Sequence, residues 1–89
     1  MVDELALRAA TDRAAKAQAL MADGTLVGAF ETLQADYFKA WRASSPDDTA
    51  ARERLWQACL IIEAVRSHIG RVIEDGTLAA AELAQITSP

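Results

Sequence analysis

The sequence lacks most of the residues on which disulfides, metal sites and membrane anchors depend. It contains one cysteine, Cys59, and one histidine, His68, which excludes an intrachain disulfide and matches no zinc-ligand spacing. Its longest strongly apolar run, Ala58–Ile62, is far shorter than the roughly 20 residues that cross a bilayer. We therefore expect an intracellular protein with no bound metal and no membrane-spanning segment.

Positive charge is also scarce. The chain contains 9 Lys and Arg residues and 13 Asp and Glu residues, which gives a formal net charge of −4 at pH 7. An acidic chain disfavours indiscriminate binding to nucleic acid or to anionic lipid. The nearest approach to a basic patch lies around a predicted turn and consists of Lys39, Arg42, Arg52 and Arg54. Acidic residues close to these four make them only a weak candidate for contacting nucleic acid.

Catalytic motifs are missing as well. The chain has no glycine-rich phosphate loop and no nucleophile motif. Cys59 falls inside a predicted apolar arc, and His68 falls at the border of that arc with no second catalytic group nearby. The adjacent acidic pairs, Asp47–Asp48 and Glu74–Asp75, lie where helix ends are predicted and are explained by capping or exposure. We expect neither an enzyme nor a bound cofactor.

Alanine, by contrast, is abundant, with 20 of 89 residues, and the other good helix formers dominate the rest. No segment alternates apolar and polar residues for long enough to predict a strand. The sequence predicts an all-α fold in a single domain over 1–89, with helices at about 2–22, 26–43, 46–75 and 78–86.

Three short stretches set these predicted boundaries. Gly24 and Gly76 suit a left-handed helix cap, and each is followed by a threonine that can cap the next helix. Ser45 is the predicted N-cap of the third helix, and Pro46 is its predicted first residue.

Each long helix has a main apolar stripe that predicts the core. In the first helix it is mostly alanine: Leu7, Ala10, Ala14, Ala17 and Met21. In the second it is Leu26, Phe30, Leu33, Tyr37 and Trp41, with Ala29 and Ala40 between them. In the third it is Leu55, Ala58, Cys59, Ile62, Val65, Ile69, Val72 and Ile73.

A second, smaller apolar strip lies off each of the two longest predicted helices. It consists of Val27 and Phe38 on one helix, and of Trp56 and Leu60 on the other. Such strips are typical of surfaces covered by a further helix or by another subunit. Arg66 lies at the edge of the arc, where its stem snorkels or its charge meets Asp36, Glu63 or a partner chain.

These patterns predict an antiparallel hairpin of the two longest helices, flanked by the alanine-rich first helix and a short last helix. The uncovered strips predict a homo-oligomer. The interface candidates are Val27, Phe38, Trp56, Leu60, Arg66 and His68.

The segment from Trp41 to Leu78 resembles a group of small helical proteins of tailed phages and prophages. The resemblance is carried by Ser-Pro-Asp-Asp at 45–48, Ala-Arg-Glu-Arg-Leu-Trp at 51–56, Val-Arg-Ser-His-Ile at 65–69 and Glu-Asp-Gly-Thr-Leu-Ala at 74–79, with Ala-Phe-Glu upstream at 29–31. Those proteins have no assigned function and are often encoded among packaging and head-assembly genes. The resemblance implies a context in the host cytoplasm or within a virion, and supplies no active site.

The leading functional interpretation is therefore a non-enzymatic structural or assembly protein of a phage particle that acts through helical surfaces. One alternative is a small terminase-like adaptor for DNA packaging, in which an oligomer gathers the weak basic patches. Another is an inhibitor directed at one host protein.

Overall fold

The computed structural model describes residues 3–87, and this part of the chain contains three α-helices and no strand. Helix α1 spans Glu4–Ala22, α2 spans Gly24–Ala43 and α3 spans Thr49–Thr87. The predicted all-α class is confirmed. The predicted start of the first helix at Val2 lies outside the described residues.

The chain divides into two compact units. Unit one contains α1 together with the part of α3 that begins at Ser67, and unit two spans Asp23–Arg66. Each unit is thus built from one short helix and one segment of α3. That the whole chain acts as a single domain stays a prediction.

Aspartates cap the starts of α1 and α2. The Asp3 carboxylate accepts hydrogen bonds from the backbone N–H groups of Leu5 and Ala6, at 3.0 and 3.2 Å. Asp23 likewise accepts from the N–H of Thr25 at 2.9 Å and is the N-cap of α2. The predicted left-handed cap at Gly24 and threonine cap at Thr25 are therefore wrong. No described glycine has a positive φ, and Gly24 is the first residue of α2.

The start of α3 also differs from the prediction, which placed Pro46 as the first helical residue. Ser45 to Asp48 instead form a tight turn, because the N–H of Asp48 donates to the carbonyl of Ser45 at 3.0 Å. Proline suits the second position of such a turn. Asp48 then caps the helix by accepting from the N–H of Ala51 at 3.1 Å. Asp48 thus places the cap three residues beyond Ser45.

Helix α3 continues to Thr87, so the predicted break near Gly76 and the separate helix at 78–86 are wrong. The Thr77 hydroxyl donates to the carbonyl of Ile73, one turn earlier in the same helix, at 3.1 Å. A threonine bonded in this way does not cap a new helix. Strong helix formers follow at 79–84, so the helix tolerates one glycine, which costs about 1 kcal/mol relative to alanine.

Gly76 serves packing. It is buried in unit one, where a Cβ atom at this position would overlap the Cβ of Ala14 and lie 3.1 Å from the carbonyl oxygen of Ala10. The absent side chain lets α1 approach α3 closely. The buried residues around this contact are Ala14, Ala17 and Ala79, which confirms the small-residue stripe predicted for α1.

Large side chains are not enclosed anywhere in residues 3–87. The buried hydrophobic residues are the three alanines of unit one, and no side chain is fully buried. Aromatic and branched residues of the predicted stripes, such as Phe30 and Ile62, are half-buried. Over the same residues, no helix has the length and apolar character of a transmembrane span.

Two glycines of α3 provide a matched test of the close approach. Gly76→Ala should lower the stability by about 1–3 kcal/mol, because the added methyl group overlaps the methyl group of Ala14 on α1. Gly70→Ala adds a methyl group with nothing within 4 Å and should raise the stability by up to about 1 kcal/mol. Urea unfolding followed by circular dichroism, at equal protein concentration, measures both. Equal stabilisation by the two substitutions would show that Gly76 is not needed for the approach of the helices.

Candidate protein-interaction surface

Three of the six predicted interface residues are large apolar side chains that remain exposed. Phe38, Trp56 and Leu60 retain 53%, 54% and 46% of their accessible surface. All three belong to unit two. Trp56 and Leu60 are one helical turn apart, so they present adjacent side chains.

The other three predicted interface residues differ in their surroundings. Val27 is half-buried at the start of α2, and His68 is exposed in unit one. Arg66 is half-buried and already has a partner. Whether any of the six touches another chain stays a prediction.

Arg66 bonds to a neutral side chain. Its guanidinium donates to the Oε1 atom of Gln34 at 2.7 Å, and its Cζ atom lies 5.9 Å from the centre of the Phe30 ring. No ion pair joins it to Asp36 or Glu63, the alternatives to snorkelling of its stem; in residues 3–87 the ion pair found is Glu4–Arg8. Gln34 follows Phe30 by one helical turn. This spacing could have indicated from the sequence that Gln34 faces α3.

A second exposed apolar group was missed. Leu33, Ile61 and Val65 are 43%, 63% and 44% exposed. The sequence stripes placed Leu33 and Val65 in the core, and Ala29 and Ala40, predicted as core filling, are also exposed. Ile61 and Val65 are one helical turn apart, and each directly precedes a half-buried residue. This spacing could have indicated from the sequence that both side chains lie on one side of α3.

The turn between α2 and α3 is held by Arg52. Its guanidinium donates to the carbonyl oxygens of Trp41 and Ser44, each at 3.4 Å, and to the Ser44 hydroxyl at 3.2 Å. Its Cζ atom lies 4.2 Å from the centre of the Trp41 ring, within the range of a cation–π contact. The last carbonyls of α2 thus receive a positive donor, which also suits the helix dipole.

Arg52 is consequently engaged within the chain, unlike the other members of the predicted basic patch. Lys39, Arg42 and Arg54 are exposed, and Arg54 donates only to the carbonyl of Ala50 on its own helix, at 3.4 Å. Lys39 and Arg42 border the exposed Phe38 ring, which stacks on Trp41 with centroids 6.2 Å apart.

Unit one exposes four large apolar residues, Leu5 and Leu20 on α1 and Leu78 and Ile86 on α3. Unit two exposes six, including the aromatic residues Phe38 and Trp56. In residues 3–87 no three or more His, Cys, Asp or Glu side chains are grouped to hold a metal ion. The six exposed apolar residues of unit two are the candidate functional surface.

Comparison with known proteins adds no family: no family model, curated protein or solved structure matches the chain.

The role of Arg52 is tested by two neighbouring arginines of α3. Arg52→Ala should lower the stability by about 1 kcal/mol, because it removes the cation–π contact and the donor at the end of α2. A loss of that size lowers the melting temperature by roughly 4–8 °C in a chain of this length. Arg54→Ala, which removes an equal charge from an exposed position, should change the melting temperature little. Equal effects of the two substitutions would contradict a specific lock at the turn.

Proposed function

We propose that this chain is a non-enzymatic assembly protein that works through helix-mediated contacts with other protein chains, first of all with copies of itself. The observation that carries the proposal is the exposed group of Phe38, Trp56 and Leu60 in unit two. Burying side chains of this size is worth about 1.5–3 kcal/mol each when they start fully exposed. Leaving them in water therefore forgoes a substantial part of the stability that a small chain needs.

The first step is the arrangement of α2 and the start of α3, which we infer to be an antiparallel hairpin. Two sets of contacts support it. Arg52 contacts Trp41 and Ser44 near the end of α2, whereas Arg66, farther along α3, contacts Gln34 and Phe30 nearer its start. Later residues of α3 therefore contact earlier residues of α2, which is the antiparallel arrangement that a short connection requires.

The second step places the exposed residues on one side of this hairpin. Phe38 comes one residue after the inward Tyr37, and Trp56 comes one residue after the inward Leu55. In an antiparallel pair, displacement in the same rotational sense from the inward stripe leads to the same side of the pair. Leu60, which follows the half-buried Cys59, joins them. We call Phe38, Trp56 and Leu60 face one.

The residues of face one also lie at similar positions along the axis of the inferred hairpin. Interpolation between the contacts of Arg52 and Arg66 puts Phe38 opposite the α3 segment between Trp56 and Leu60. We infer from this that the three side chains lie on one side of the hairpin at a similar level. Its tryptophan is the residue type that most often dominates binding energy at protein interfaces.

Charges at the ends of face one support a second copy as its occupant. Arg42 lies toward the turn end, whereas Glu31 and Glu63 lie toward the opposite end, and all three are exposed without an ion pair in residues 3–87. When two copies meet by face one in opposite directions, each Arg42 lies near the acidic end of the other copy. Such complementarity favours this pairing and fixes its direction.

The setting we propose for this activity is the assembly of a tailed-phage particle, which rests on the resemblance of 41–78 to small phage proteins. A DNA-packaging adaptor fits less well, because Arg52, one of its four basic residues, is engaged at the turn. The exposed apolar faces and the net charge of −4 favour a protein partner over nucleic acid.

Truncating the centre of face one tests the proposal. Trp56→Ala should weaken self-association at least tenfold while most of the helicity is retained, because the side chain is half exposed within one chain. Sedimentation velocity over a range of concentrations measures association, and far-ultraviolet circular dichroism measures helicity.

The matched control is Leu78→Ala, which removes an apolar side chain from unit one that is somewhat more exposed than Trp56 and should leave association unchanged. Global unfolding of the Trp56→Ala variant would show that Trp56 belongs to the core. A strictly monomeric parent protein at high micromolar concentration would contradict the proposal itself.

A further inference from the structure

We infer that self-association pairs α2 with α2 of a second copy in the antiparallel direction, so that Phe38 of each copy packs on Ala35 of the other and Arg42 meets Glu31. This inference rests on the proposed function, because it takes association through face one as given. It adds the residue-by-residue pairing across the contact, and it assigns a role to Ala35.

One stripe of α2 carries the four residues of this contact. At about 100° per residue, positions 31, 35, 38 and 42 fall within an arc of about 60° on the helix surface. Along this stripe lie Glu31, Ale35, Phe38 and Arg42. All four residues are exposed, whereas Tyr37 and Trp41 on the neighbouring inward stripe are half-buried. Because the four residues share one helix, their alignment does not depend on how α2 packs against α3.

The order of charge and size along the stripe is complementary to the same order reversed. Two antiparallel copies of α2 that cross midway between positions 36 and 37 set position 42 opposite 31 and position 38 opposite 35. The two charges are separated by about 16 Å along the axis of each copy, so both ion pairs form at once. Each Phe38 ring then lies over the small Ala35 side chain, which allows the helices to approach closely. A two-fold contact of this kind contains every pair twice.

The parallel arrangement is disfavoured by the same residues. It would set Arg42 against Arg42 and Glu31 against Glu31, and like charges that face one another across an interface are repulsive. Neither charge is neutralised inside the chain, since the ion pair found in residues 3–87 is Glu4–Arg8. Charge therefore selects the antiparallel direction.

Phe38 is held in position before any association takes place. Its ring stacks on Trp41 with the centroids 6.2 Å apart and the planes inclined by 14°. Trp41 is held in turn by Arg52, whose Cζ atom lies 4.2 Å from the centre of the ring. Even so, Phe38 keeps 53% of its surface exposed. An aromatic side chain that is already ordered loses little conformational freedom on binding, so Phe38 is suited to anchor a contact.

A second copy is the occupant that satisfies both ends of the stripe. It supplies an acid for Arg42, a base for Glu31 and a small residue for Phe38, all at matching positions. A nucleic acid would bring phosphate groups against Glu31 on a chain whose net charge is −4. The composition of the stripe thus favours this chain over a polyanion.

Charge reversal tests the pairing. Arg42→Glu and Glu31→Arg should each weaken self-association at least tenfold, because each substitution sets like charges opposite one another twice. An equimolar mixture of the two variants should form a one-to-one pair about as tightly as the parent, since every glutamate then faces an arginine. Sedimentation velocity at low ionic strength measures association, and circular dichroism measures helicity. The double variant restores both pairs, should self-associate like the parent, and decides the outcome if a single variant unfolds.

Three further variants serve as controls or probe the alanine. Arg54→Glu makes the same change of charge at an exposed arginine of α3 and should associate like the parent. Ala35→Gln should weaken association severalfold, because the longer side chain takes the space of the Phe38 ring. Ala40→Gln, at an exposed position of α2 off the stripe, should have no such effect.

The contrary results separate this inference from the proposed function. A monomeric parent would overturn both. If the parent associates and Trp56→Ala weakens it, but the charge variants associate unchanged or fail to pair when mixed, the pairing of two α2 helices is wrong and face one stands. Restoration of Arg42→Glu by Glu63→Arg in place of Glu31→Arg would show that Arg42 meets α3 of the second copy, which also overturns the pairing.

Discussion

When two helices pack together, each covers only one stripe of the other, and the residues beside that stripe stay exposed to water. Each unit brings one helix against a segment of α3. In unit one the buried residues are alanine and glycine, which permit close approach but remove little apolar area from water, and larger residues such as Leu7 and Ile73 stay half-buried. In unit two no residue is buried, the larger covered residues are half-buried, and their neighbours to either side remain exposed. Residues 23–66 hold no further helix to cover those neighbours, and the self-association proposed above would bury them.

Polar contacts compensate in part for the small core. Arg52 satisfies the last carbonyls of α2 while its charge lies over Trp41, and Arg66 bonds to Gln34 beside Phe30. Both arginines join the two helices of unit two near opposite ends of their contact. They fix the pairing of α2 with α3 with few enclosed apolar side chains, which leaves the flanking apolar residues free for association.

The helical class, the stripe of α1 and the exposure of Phe38, Trp56 and Leu60 were predictable, because each follows from helix propensity or from the spacing of apolar residues. The helix ends were less so. Gly76 and Thr77 have the chemistry of a helix boundary, but the space that α1 requires and the bond from Thr77 to Ile73 keep α3 continuous. The exposure of Leu33 and Val65 was missed because a wheel drawn for one helix assigns both residues to the main stripe. Only the narrow width of the actual helix contact shows that they lie outside it.

The claim that another copy completes the fold is tested most directly by the melting temperature of the unaltered protein over a hundredfold range of concentration. When association and folding are linked, the melting temperature rises with protein concentration, because association stabilises only the folded chain. We predict such a rise, by several degrees, together with a loss of helical signal on dilution. A melting temperature independent of concentration, with full helicity in the most dilute sample, would contradict it.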